Sequence, residues 1–184
     1  MHANDPSPGI PPRLLHRPTM GGLVVPYTTL RLPDGRYRFG AVDFDRQTQA
    51  FTDRLCQTCG TELGNRTVFA VRDTDLLELT SHEPSMHPEC AAYSATACPM
   101  LAGRMTHYQH TPIAEQLAKL DLAVHGDPGT ELRLGQPSSP WSLAWASGYR
   151  LYTHPRTRQL AALIPPGQLL RVRPVTAATA EAGS

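Results

Sequence analysis

Residues 56–60, Cys-Gln-Thr-Cys-Gly, and residues 87–91, His-Pro-Glu-Cys-Ala, decide how this chain is read. Two thiols separated by two residues can grip one ion from a tight turn, and the glycine behind them lets that turn close with backbone amides pointing at sulfur. An HxxC at the start of a helix places imidazole and thiol about one turn apart on the same side. Cys56, Cys59, His87 and Cys90 therefore make a closed set of four donors, the arrangement of structural rather than catalytic zinc. The expected cofactor is one structural Zn2+.

Other readings of the same residues stay open at this point. CxxC is also the spacing of a redox pair, and buried cysteines can serve as small hydrophobes. Cys56, Cys59, Cys90 and Cys98 would supply the four thiolates of an iron–sulfur cluster, although that choice leaves His87 unexplained at ligand spacing. Under the zinc reading Cys98 is a spare, buried core thiol. His87-Pro88-Glu89 matches the HxE element of zinc-dependent nucleobase deaminases, but there CxxC follows HxE, whereas here it precedes it. Cys90 would also fill the position that a catalytic water needs.

The 27 residues 60–86 lie between the two pairs. Thr67–Val71 reads as a strand and Leu76–Leu79 as its hairpin partner across Asp73-Thr74-Asp75, and an alanine-rich helix over 88–98 is ended by Pro99. Knuckle, hairpin and helix in that order resemble the treble-clef zinc-finger family over roughly residues 55–100, on the match of Cys56, Cys59, His87 and Cys90. The wider chain, about residues 22–175, resembles a group of uncharacterised bacterial and bacteriophage proteins. They share a CxxC, an HxxCA segment and a Cys-Pro pair, here Cys98-Pro99 followed by Met100. The Arg38-Phe39 strand and the closing Leu169–Val172 strand also fit that pattern. The resemblance implies a fold and a metal, with no activity attached. Treble clefs also carry HNH nucleases, but the chain has no Asp-His or His-His dipeptide, and His107 and His110 read as exposed loop histidines.

Outward from the motif, Leu23–Leu30 and Tyr37–Val42 read as strands around the Pro33-Asp34-Gly35 turn, with Pro26 placing the first at an edge or a bulge. Asp43 can cap a helix running to about Leu55. Ile113, Leu117, Leu120 and Val124 have helical spacing, and residues 126–140 form a Gly/Pro/Ser loop. Short β-like runs follow at Ser142–Trp145, Tyr149–Thr153, Leu160–Ile164 and Leu169–Val172. The expected organisation is a disordered Pro-rich arm over residues 1–20, a single zinc-containing α+β domain over 21–175 with antiparallel hairpins and short helices, and a frayed tail over 176–184.

Composition narrows the function. Net charge is +1, well short of the basic stripe that phosphate neutralisation demands. No apolar run approaches the ~18–20 residues that span a bilayer, and the N-terminus lacks a signal-peptide pattern, so the expected compartment is the cytoplasm with no membrane contact. No P-loop, dinucleotide fingerprint, GxSxG or HExxH occurs. Asp43/Asp45 and Asp73/Asp75 sit at cap or turn positions. Trp141, Trp145, Tyr149 and Tyr152 with Arg150, Arg156 and Arg158 form an aromatic-basic cluster, which is either a base-stacking surface or the two faces of a strand pair. The chain is thus expected to be a zinc-stabilised, non-enzymatic binding module acting on a protein partner. A nucleic-acid-binding accessory protein is the alternative, and a nuclease or other hydrolase the remaining class.

Overall fold

A computed structural model describes residues 9–110, 113–118 and 132–175. Within them helices and antiparallel sheets mix, an α+β architecture. No helix among the described residues is long and apolar enough to cross a membrane.

Two short hairpins open the fold. β1 (Thr19–Met20) pairs with β2 (Leu23–Val24) across Gly21-Gly22, and β3 (Thr29–Arg31) pairs with β4 (Tyr37–Val42) across the expected Pro-Asp-Gly turn. The single strand anticipated over 23–30 is split at Pro26, whose missing amide and fixed φ interrupt pairing there. α1 (Phe44–Thr52) starts where Asp43 accepts a hydrogen bond from the Arg46 amide at 3.1 Å, and it buries Ala50 and Phe51. Asp43→Ala is expected to lower stability by about 1 kcal/mol, the usual worth of an N-cap. A lower denaturant midpoint for the metal-loaded variant would register it.

β5 (Thr67–Arg72) does not turn back into a hairpin. It runs into α2 (Asp73–Glu78) and then β6 (Thr80–Ser81), which corrects the hairpin expected between the two ligand pairs. The cause is Asp75. Its carboxylate takes the Arg72 amide at 2.9 Å and both arms of the Arg72 guanidinium at 2.8 and 2.9 Å, which caps a helix at the point where a turn was expected. Leu77, read as a strand residue, projects from that helix into solvent.

α3 (Pro88–Ala97) follows with proline at its first position, and α4 (Ile113–Ala118) is the described part of the helix expected over 113–124. The remainder of that helix and residues 126–131 of the expected loop lie outside the described residues. The last four strands are β7 (Trp141–Ala146), β8 (Arg150–Thr153), β9 (Leu160–Leu163) and β10 (Leu169–Pro174). Their registers, Thr153↔Leu160 to Arg150↔Leu163 and Ala146↔Leu169 to Ser142↔Pro174, make one long hairpin bent at residues 147–149 and 164–168. β5 pairs with β7 and β6 with β9, so the bend distributes the ribbon between two three-stranded sheets, β10-β7-β5 and β6-β9-β8.

β5 is buried on both faces, which explains its unbroken apolar run. Phe69 and Val71 join Phe51, Ala144, Ala146, Ala162 and Ile164 in one core. Val68 and Ala70 join Leu14, Cys56, Cys59, Met86, Cys90, Ala91, Tyr93 and Leu143 in a second. Leu14 belongs to the stretch read as a disordered arm. Residues 9–20 depart from that reading, because a 3-10 turn at Pro12–Leu14 buries Leu14 completely. Residues 1–8 and the tail 176–184 lie outside the described residues.

Candidate metal centre

The chain leaves α1 through Arg54, at φ 53°, and closes a small β-turn structure. The Leu63 amide donates to the Arg54 carbonyl, the Cys56 amide to Thr61 and the Gly60 amide back to Cys56, all at 2.8 Å. Gly60 has φ +77°, and a Cβ there would stand 2.6 Å from the Tyr27 ring. Gly60→Ala is therefore expected to cost about 2 kcal/mol through left-handed strain and displacement of Tyr27. A drop in the melting temperature of the metal-loaded protein, larger than that of Asp43→Ala, would show it.

The second pair of the candidate set, His87 and Cys90, is positioned by β5 and α3. Val68 and Met86 exchange amide–carbonyl bonds at 2.9 and 2.8 Å, which anchors the residue just before His87. His87 is the N-cap of α3, and Cys90 lies in that helix's first turn, where the partial positive charge of the helix start favours a thiolate. The His87 Nε2–H donates to the Glu62 carbonyl at 3.0 Å. That bond occupies Nε2 and leaves Nδ1 facing the sulfurs, the orientation that ligating histidines receive from their outer partner. Nδ1 stands 3.4 Å from the Cys59 sulfur.

All four side chains are buried, and their donor atoms lie within 4.8 Å of one another. A tetrahedral ion with sulfur at ~2.3 Å and nitrogen at ~2.0 Å requires donor–donor separations of about 3.5–3.8 Å, so a small contraction of this set would seat one ion. Further contacts support the sulfurs. The Cys59 amide points at Cys56 Sγ at 3.5 Å, and the Thr61 hydroxyl lies 3.1 Å from Cys59 Sγ.

Protonation within the set is lopsided. Cys56 is held far below the usual thiol range, because the Cys59 and Cys90 thiols and His87 direct hydrogen bonds at its sulfur. Cys90 is pushed far above that range by the same bond to Cys56, with Cys59 and burial adding to it, and Cys59 is raised chiefly by Cys56. His87 is raised by its bond to Cys56. These contacts thus favour the ionised form at Cys56 over Cys59 and Cys90. A divalent cation would replace the protons on the others.

Cys98 does not join the group. α3 runs unbroken from Cys90 through Ala97, so Cys98 stands about 12 Å further along the helix axis. The iron–sulfur set that needed it is excluded by that distance, and the thiol is half-buried rather than a core group.

Sequence reasoning missed the N-terminal cover of this centre. The His16 Nε2–H donates to the Cys59 carbonyl at 2.9 Å, Arg13 pairs with Glu89 in the first turn of α3, and the Val24 amide donates to the Tyr93 hydroxyl at 2.9 Å. Its one available signal was Leu14-Leu15, an apolar pair among prolines.

Other expected residues separate. His107 and His110 are exposed, as read. Asp43 and Asp75 are spent on helix caps. The aromatic-basic cluster is not one surface. Trp141 and Trp145 pack beside the metal-side core under Arg72 and Arg171, while Tyr149 packs edge-on against Phe69 in the other core under Arg54. Arg156 is committed to Glu78, which also accepts from buried His154 at 3.2 Å.

Comparison with protein-family models, with curated proteins and with solved structures finds no match for this chain.

Proposed function

We propose that the protein is a zinc-stabilised binding module without catalytic activity, and that its work is to dock another protein. The reading rests on one observation: three sulfurs and one imidazole nitrogen converge inside the core. Soft thiolates with a single imidazole favour zinc, and a donor set complete at four keeps no position for a reacting water. Zinc would join the knuckle at 56–60 to the start of α3, which is the office of the metal in a treble clef. In this chain a strand–helix–strand segment takes the place of that motif's hairpin. A reducing cytoplasm would keep the three thiols available for metal.

The aromatic-basic residues favour a protein partner over nucleic acid, because the Trp141 and Trp145 rings pack on one core and the Tyr149 ring on the other, and each of these three carries an arginine from its own chain. The test uses the zinc-loaded full chain for crosslinked capture of partners at low and high salt, alongside titration with single- and double-stranded oligonucleotides. The expected result is a protein partner retained at high salt and lost when Cys56→Ser removes the metal, with weak oligonucleotide binding. Tight oligonucleotide binding that falls steeply with salt would replace this reading with the nucleic-acid one.

A further inference from the structure

β10 is the outer strand of its sheet, hydrogen-bonded on one side to β7 and to no other strand among the described residues. A bare edge of this kind is a template for another strand. β10 is exposed on both faces as well. Leu170 and Val172 are 52% and 39% exposed, and Arg171 and Arg173 are exposed between them. Register sorts these residues. Val172 lies opposite Ala144, on the side of the Phe69 core, while Arg171 and Arg173 lie opposite Trp145 and Leu143, on the side of the metal core. Leu151 of β8, the edge of the other sheet, is also exposed and sits opposite Ala162 of the Phe69 core.

We propose that the β10 edge accepts an extended segment of a partner protein as an added strand, and that this segment alternates apolar and acidic residues. The inference rests on the binding-module reading and specifies its surface. Strand addition gives affinity through main-chain bonds and specificity through alternate side chains. Leu170 stands at the register shift between Leu169 and Arg171, and apolar residues of the incoming strand would cover Val172 on the Phe69-core face. On the other, carboxylates would meet Arg171 and Arg173, since neither β7 nor β10 contains an acidic residue. Arg171 is already held, its guanidinium 5.5 Å over the Trp145 ring, so little side-chain freedom is lost when a carboxylate arrives. The same arginines select against a second copy of this chain. Antiparallel self-pairing about Val172 would set Arg171 against Arg173 twice, and like charges directly opposite destabilise a sheet. Pro174 ends the edge, having no amide to offer.

The probe is a fluorescein-labelled peptide of four Glu-Val repeats, titrated by anisotropy into the zinc-loaded full chain. Three comparators accompany it: a Lys-Val repeat, a Glu-Val repeat with alternate amides N-methylated, and an oligothymidylate. The variant is R171E/R173E, on exposed positions, with zinc content checked as a measure of folding. The Glu-Val peptide is expected to bind, and to weaken about tenfold or more either on N-methylation or in the variant. The Lys-Val peptide is expected to bind the variant better than the wild type. No binding of the Glu-Val peptide at millimolar concentration would overturn the proposal, as would equal binding by the N-methylated peptide or by a folded R171E/R173E. Displacement of the peptide by oligothymidylate would overturn it in favour of nucleic acid, and a dimer that R171E/R173E dissociates would overturn it in favour of a second copy. If the peptides fail while metal-dependent capture of a protein persists unchanged in R171E/R173E, the edge is wrong and the binding module stands. If that capture fails too, both readings fall.

Discussion

Stripping the metal with a strong chelator is expected to unfold the cysteine-lined half of the protein, at a cost on the order of 10 kcal/mol in apparent stability. The size follows from what converges on the four ligands. Cys56, Cys59 and Cys90 are themselves members of the core that holds Leu14, Val68, Met86 and Tyr93, so losing the ion leaves like-charged or protonated sulfurs where packing needs a compact centre. The N-terminal turn depends on the same centre, because His16 bonds the Cys59 carbonyl and Arg13 the first turn of α3. Hydrogen exchange should therefore accelerate together in residues 10–27, 54–63 and 86–97. Cys56→Ser should reproduce the effect and Cys98→Ser should not. Acid should act in the same direction as chelator, since protons compete for the thiolates and for His87. Unchanged exchange in residues 10–27 after metal removal would show that the N-terminal cover stands without the ion.

The second large effect belongs to the other core. Phe69→Ala is expected to destabilise the zinc-loaded protein by about 3–5 kcal/mol, the range for removing a buried aromatic ring. Phe69 is fully buried at the centre of β5 and meets the Tyr149 ring edge-on at 5.3 Å. Its neighbours Ala144, Ala146 and Ala162 are too small to fill the space it leaves. The informative readout is the pair of stability and metal content. Phe69 points away from the ligands, so one metal per chain should be retained at a reduced denaturant midpoint. Loss of metal in the folded variant would mean that the two cores do not divide along β5.

What could be read in the sequence was short-range. The convergence of Cys56, Cys59, His87 and Cys90 was legible because CxxC and HxxC each lie within one turn or one helical turn, and the start of α1 because Asp43 bonds an amide three residues away. The segment at 73–79 was misread for an equally local reason. Asp73-Thr74-Asp75 suits a hairpin turn as well as a helix start, and the choice is made by the Arg72–Asp75 pair, which spacing alone does not reveal. Long-range pairing was not legible. β5 finds its partner about seventy residues on, in β7, and the four C-terminal strands look like separate short runs until their registers join them into one bent hairpin. The N-terminal cover escaped because proline richness masked a single buried leucine, and the Glu62 carbonyl on His87 because backbone acceptors leave no trace in residue identity.

The central claim is most directly tested by X-ray absorption at the metal edge on the purified full chain, paired with its metal stoichiometry. The account predicts one zinc per chain, with three sulfurs at about 2.3 Å, one nitrogen at about 2.0 Å and no light-atom ligand beyond it. An iron edge, a zinc bound by two sulfurs with oxygen completing its shell, or a metal lost on Cys98→Ser but kept on Cys56→Ser would contradict it.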